Sequence, residues 1–228
     1  MVLLSNSQKD SYTYSHMKKI KNIRIALTSA MSAVVLLAGL QSQAAFLTLS
    51  ESAELINEGH YRLGVAPQLR LSDGNGFNVG FYADGYISEG MNWRGLIGGG
   101  TTDYFMQGSV KWIPVPDYDK QPAMGGRLMV FYSRDADMDF SGLQLTPIIS
   151  KQVASEYGLL TPYAGLPITY IGNSKKTVTA LQLAVGTELN LEKNRQVGAE
   201  FNLNLNDAVT SLTVFFAFPF DSSTGYKK

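Results

Sequence analysis

QVGAEFNLN, residues 196–204, changes character at every step. Val197, Ala199, Phe201 and Leu203 are apolar, while Gln196, Gly198, Glu200, Asn202 and Asn204 are polar or small. Strict period-2 alternation puts the two sets on opposite faces of a β-strand. Residues 177–191 repeat the pattern, with Leu181, Leu183, Val185, Leu189 and Leu191 set against Gln182, Gly186, Glu188 and Asn190. Comparable runs occur at 61–71, 77–87, 91–98, 104–113, 127–134, 142–151, 159–171 and 209–220, making ten. Turn residues separate them: DGNG (73–76), SEG (88–90), GGTTD (99–103), DADMDF (135–140), ASEYG (154–158), GNSKK (172–176), EKN (192–194) and Asn206-Asp207. Connections this short predict antiparallel pairing of consecutive strands. The one long connection, 114–126, holds three of the eight prolines.

One greasy face and one polar face fit two architectures. A soluble barrel or sandwich would turn the apolar face inward, whereas a membrane barrel turns it outward to lipid. The polar faces here carry Gly, Gln, Asn and Ser rather than the long charged side chains that coat a soluble sheet. Their charges are Arg62, Arg70, Asp84, Arg94, Lys111, Glu188 and Glu200, four cations and three anions. Such a set suits a narrow lumen and would be costly against lipid. Tyr82, Tyr86, Trp93, Tyr104, Trp112, Tyr132, Tyr157, Tyr163 and Tyr170 are read as interfacial girdles near strand ends.

Length and composition agree with a folded chain: 228 residues, 45% hydrophobic, formal net charge zero. The charge is uneven. Lys9, Lys18, Lys19, Lys21 and Arg24 precede Ala45 with only Asp10 against them, which leaves 14 basic and 18 acidic residues beyond. A weakly acidic remainder argues against nucleic acid as a partner. The basic head runs into IALTSAMSAVVLLAGL (25–40) and then QSQAA (41–45), the order of a secretory leader. Residues 1–44 are read as a signal peptide, cleaved after Ala44 or else Ala45, with Met17 as the true start. An uncleaved anchor is the alternative. Without any cysteine, the chain can have neither a disulfide framework nor a thiolate metal site.

Residues 45–60 are expected to be a short periplasmic segment, with 50–57 forming one or two helical turns capped by Ser50. The barrel spans 61–220, and 221–228 is a polar tail. SLTVFFAFPF (211–220) reads as the last strand, with Leu212, Val214, Phe216, Phe218 and Phe220 toward lipid and Thr213, Phe215, Ala217 and Pro219 inside. Phe215 and Pro219 would then fill the lumen, which favours a plugged barrel.

In this combination of leader, ten alternating segments and a terminal TVFFAFPF (213–220), the chain resembles small bacterial outer-membrane β-barrel proteins. The resemblance implies an all-β, antiparallel up-and-down transmembrane barrel of about ten strands, eight being possible, behind an N-terminal signal helix. It implies outer-membrane lipid as surroundings and the barrel-assembly machinery as a partner that reads Val214, Phe216, Phe218 and Phe220. It also places both termini in the periplasm, so that 88–90, 114–126, 154–158 and 192–194 face the periplasm and the other turns face outward. Two features depart from the family: the chain continues past Phe220, and its outer loops are short.

No catalytic, metal or cofactor site is predicted. The remainder holds a single histidine, His60, with no evident Ser or Asp partner. Asp135, Asp137 and Asp139 alternate along one turn without the Gly and Glu of a calcium loop. Gly98-Gly99-Gly100 lacks a following Lys and helix, which excludes a phosphate loop. The expected function is a non-enzymatic outer-membrane barrel with a structural or surface role and a largely plugged lumen. A narrow channel for ions or small solutes, and a soluble periplasmic barrel holding an apolar ligand, are the alternatives.

Overall fold

Each alternating run forms a strand because only an extended backbone gives its two sets of side chains two separate environments. The computed structural model describes residues 48–72, 75–172, 177–191 and 195–222. The leader with residues 45–47, residues 73–74, 173–176 and 192–194, and most of the tail lie outside them. The strands are β1 (His60–Arg70), β2 (Gly76–Ser88), β3 (Met91–Gly100), β4 (Tyr104–Val115), β5 (Ala123–Asp135) and β6 (Met138–Ser150). β7 (Val153–Ser155), β8 (Gly158–Gly165), β9 (Ile168–Gly172), β10 (Thr177–Leu191), β11 (Arg195–Asn206) and β12 (Ser211–Asp221) follow.

All pairings are antiparallel, and β12 returns to pair with β1, Phe220 opposite Tyr61, so the sheet is closed. The twelve segments make ten staves. β7 prolongs β6 beside β8, and β8 and β9 together form the stave between β6 and β10. The single run 159–171 is therefore broken at Leu166-Pro167, and Pro167 has no N–H for the ladder. The sheet bridges the gap by Leu166 N–H to the Pro147 carbonyl (3.1 Å) and Gln182 N–H to the Pro167 carbonyl (3.0 Å). The register of β10 runs on unbroken across the gap, from Ala184 opposite Gly165 to Leu181 opposite Ile168, while on its other side β10 shifts register against β11 between Leu181 and Gln182.

The apolar face is outside. Ile97 is 64% exposed and Phe81 59%, whereas Asp84 is 2% and Glu200 1% exposed. Tyr61 stacks on Phe220 with ring centroids 5.3 Å apart and shares a row with Gly85 and Trp93 near one rim. Tyr104, Tyr132 and Tyr170 stand near the other rim, the first two joined through their hydroxyls at 3.4 Å. Two of the aromatics assigned to girdles point the other way: Tyr82 and Tyr163 are buried inside.

Those inward rings explain the glycines of the polar face. Gly64 pairs directly with Tyr82, Gly186 with Tyr163, and Gly198 with Phe215. A Cβ on Gly198 would stand 2.1 Å from Phe215 Cζ, and one on Gly64 2.2 Å from Tyr82 Cζ. Each glycine is a socket into which the neighbouring ring lies flat, so these positions fill the interior instead of leaving it open.

Candidate functional site

Seven charged residues assigned to the lumen from sequence are all buried. Arg62, Asp84 and Arg94 are direct neighbours across β1, β2 and β3. Asp84 bonds Arg94 Nε at 2.6 Å and Arg62 Nη2 at 2.9 Å, and the Arg94 guanidinium lies 4.4 Å over the Tyr82 ring. Lys111 on β4 belongs to the same wall. Glu188 on β10 and Glu200 on β11 occupy the opposite one. Arg70 is apart, at the far end of β1, 3.8 Å from Asp135.

Residues 48–56 lie between the walls. No helical turn forms there, which corrects the sequence reading, and residues 48–53 are buried inside the barrel rather than solvated outside it. Side chains of the staves bond the backbone groups that a helix would pair internally. Glu200 accepts from Leu49 N–H (2.9 Å), Ser50 N–H (2.6 Å) and Thr48 Oγ1 (2.7 Å). Glu188 accepts from Ser52 N–H (2.6 Å) and Ser52 Oγ (2.9 Å). Toward the opposite wall, Arg94 donates to the Leu49 and Ser50 carbonyls, Arg127 to those of Thr48 and Leu49, and Lys111 to those of Ser52 and Glu54. The segment thus shows N–H groups to the carboxylates and C=O groups to the cations.

Ser50 makes this possible by adopting φ 45°, a left-handed conformation uncommon for a residue with a Cβ. Its N–H and that of Leu49 both meet the Glu200 carboxylate, and its left-handed φ sets the direction of its own carbonyl relative to that N–H. Glu51 then faces the cations: Lys111 at 3.0 Å, Arg127 at 3.2 Å and Arg94 at 3.9 Å. Nearer the entrance, Glu54 accepts from Thr161 (2.7 Å) and Asn190 (3.2 Å), and Asn92 donates to the Ile56 carbonyl (3.4 Å).

Glu51, Glu54 and Arg127 are charged participants that sequence reasoning missed. Arg127 alternates with Met129 and Phe131 on the inside while Leu128 and Val130 face out, so β5 offers no polar–apolar contrast to flag its inward side. Glu51 lies on a segment read as periplasmic. Farther along the lumen, Met129, Phe131, Phe140, Ile171, Ala180 and Ala208 form a separate buried apolar cluster.

The remaining sequence candidates stay apart from this centre. His60 is exposed, its Nδ1 2.9 Å from the Glu58 carbonyl. Asp139 accepts from the Tyr132 hydroxyl at 2.8 Å, and among the described residues no three metal-ligating side chains gather. Val214, Phe216, Phe218 and Phe220 share the outer face of β12, with Phe216 and Phe218 exposed and Val214 and Phe220 half-buried. At the rim beside the 116–121 turn, Asp117 accepts from the Lys151 ammonium and from Gln152 N–H, and both bonds hold its carboxyl below the usual range.

No known family and no curated protein matches the sequence. Solved structures are similar in fold. The β domain of the Bordetella autotransporter BrkA is 14% identical, with a TM-score of 0.40 over 71% of this chain and 99% of that one. Ail, the attachment invasion locus protein of Yersinia pestis, is 12% identical, with a TM-score of 0.24 over 71% of this chain and 97% of that one. These likenesses are loose, and the physical case rests on the barrel's own faces. Its apolar residues are exposed and its charges enclosed, which is stable only with hydrocarbon outside. The chain is a closed, ten-stave antiparallel β-barrel whose apolar outer face is that of a barrel spanning a bilayer.

Proposed function

We propose that this protein is a non-enzymatic outer-membrane barrel with a structural or surface role, its lumen closed by its own N-terminal segment. The observation that supports this most directly is the double engagement of residues 48–52, N–H groups on Glu188 and Glu200 and carbonyls on Arg94, Arg127 and Lys111. Glu51, with three cations around it, adds an anchor that an exchangeable solute would lack. The glycine-socketed rings of Tyr82, Tyr163 and Phe215 occupy further lumen space. In this reading the outer face of β12, with Val214, Phe216, Phe218 and Phe220, is what the assembly machinery engages, and the secretory leader brings the chain to it.

Planar-bilayer recording on the full-length barrel tests the closure. The expected trace is silent at ±100 mV, with brief events at most. A steady, reproducible single-channel current from the unmodified protein would replace this reading with the narrow-channel one.

A further inference from the structure

Residues 48–56 are held in the lumen as a ligand is held. Among the described residues, no backbone–backbone hydrogen bond joins them to a stave. Their main-chain groups are met by side chains instead. The N–H groups of Leu49 and Ser50 meet Glu200, that of Ser52 meets Glu188, and that of Ala53 meets Ser150 Oγ at 3.2 Å. The carbonyls of residues 48, 49, 50, 52, 54 and 56 accept from Asn92, Arg94, Lys111 and Arg127. These seven side chains stand on six staves, β3 to β6, β10 and β11. A segment belonging to the sheet would exchange main-chain bonds with its neighbour, as the staves themselves do.

Contacts to the main chain read a path, and a few side chains add selectivity. Thr48 Oγ1 donates to Glu200 and Ser52 Oγ to Glu188, while Glu51 stands among Lys111, Arg127 and Arg94. Leu49 takes the space that Gly165 leaves, where a Cβ would stand 2.9 Å from Leu49 Cδ2. The stave groups are positioned by the barrel, so they are arranged for a peptide before one arrives. Buried without one, Glu200, Lys111 and Arg127 would lose most of their partners.

The covalent link to the barrel is slight. Asn57, Glu58 and Gly59 are all exposed. Beside the point of entry, Ala53, Glu54, Ile113, Asp117, Ser150 and Gln152 line a cavity of about 230 Å³, so the mouth is not sealed around the segment. We infer that the lumen is a receptor for a short peptide carrying one carboxylate between two hydroxyl residues, Ser50-Glu51-Ser52 in this chain. Residues 48–56 are its tethered ligand, and a free peptide of the same kind can replace them. The tether sets the outcome of that competition, because a short link gives the segment an effective concentration on the order of millimolar. A dilute free peptide therefore enters only when the link is cut. The inference rests on the closed-lumen reading, and its experiment is separate from the conductance test of that reading.

The test keeps the full chain and inserts the recognition sequence of a site-specific protease between Glu58 and Gly59. Folded protein in detergent is cut, and a fluorescein-labelled peptide of residues 48–58 is titrated in while its anisotropy is followed. The cut barrel should bind the peptide saturably, with the severed segment released into solution. The same peptide carrying Glu51→Gln should bind at least about tenfold more weakly, and a scrambled peptide of identical composition should not bind. Uncut protein should take up the peptide at least about a hundredfold less readily. Because the Glu51 change is made in the peptide, the fold of the barrel is untouched by it. Three results overturn the inference: no exchange in a cut barrel that keeps its heat-modifiable gel mobility, equal binding of the three peptides, or unfolding of the barrel on cutting. The last makes the segment part of the fold and not a ligand. Each of these leaves the uncut protein electrically silent, whereas a steady current from the unmodified protein defeats the closed-lumen reading itself.

Discussion

Arg94 and Glu200 hold opposite edges of the same two residues. Glu200 accepts the N–H groups of Leu49 and Ser50 at 2.9 and 2.6 Å, and Arg94 Nη1 donates to their carbonyls at 3.1 and 3.0 Å. The two charges are thereby coupled through a peptide rather than through direct contact. A peptide can bridge them because its dipolar groups can be turned to either side, and the left-handed Ser50 does this turning. The arrangement answers a problem common to narrow barrels: charges that must avoid lipid are held by peptide groups and need not all be paired to one another.

Glu51 is the residue whose loss should cost most. Glu51→Gln leaves Lys111 and Arg127 with no carboxylate partner in a buried site, while Arg94 keeps Asp84. Breaking a buried pair in this way costs ~3–5 kcal/mol. The expected result is a lower urea midpoint for unfolding from lipid vesicles, together with the appearance of channel events in bilayers.

Glu200→Gln preserves shape but turns an NH₂ toward donors. One of the bonds from Leu49, Ser50 or Thr48 must be lost, at ~1.5–3 kcal/mol for a bond to a charged group. Hydrogen exchange should show the Leu49 and Ser50 amides losing protection about tenfold or more, while amides in the centre of β5 stay slow.

Gly198→Ala tests the sockets. The new methyl would meet the buried Phe215 ring at 2.1 Å, so overpacking should cost ~1–3 kcal/mol. The fraction of folded, heat-modifiable protein should fall, and the double change Gly198→Ala with Phe215→Leu should recover it. Gly108→Ala serves as control, since nothing lies within 4 Å of a Cβ there.

The rim turn should respond to acid. Asp117 has its carboxyl pKa lowered in the folded state by Lys151 and Gln152 N–H. A depressed folded value means that the stabilising contact is fully present above the ordinary unfolded carboxylate pKa. It is lost as pH falls through the lower folded one. Limited proteolysis at residues 116–122 should therefore accelerate only on acidification into that window. Asp117→Asn should be fast and insensitive to pH throughout.

Alternation marked out the strands, the short connections their antiparallel order, and the small polar residues and enclosed charges of one face the outward direction of the other. A period of two has one meaning on an extended backbone, and residues such as Glu188 and Glu200 cannot face lipid. The lumen charges were legible for the same reason on β1 to β4, β10 and β11, and illegible on β5, where Met129 and Phe131 make both faces apolar. Only the tertiary structure decided what fills the interior. The N-terminal segment carries no period, and its local preference for a helical turn is outweighed by Glu188, Glu200, Arg94, Lys111 and Arg127. These residues come from five staves that are far apart in sequence, and closure of the barrel brings them within reach of one short stretch of backbone. QVGAEFNLN shows that Glu200 points inward; that it closes on Leu49 and Ser50 is a property of the closed barrel.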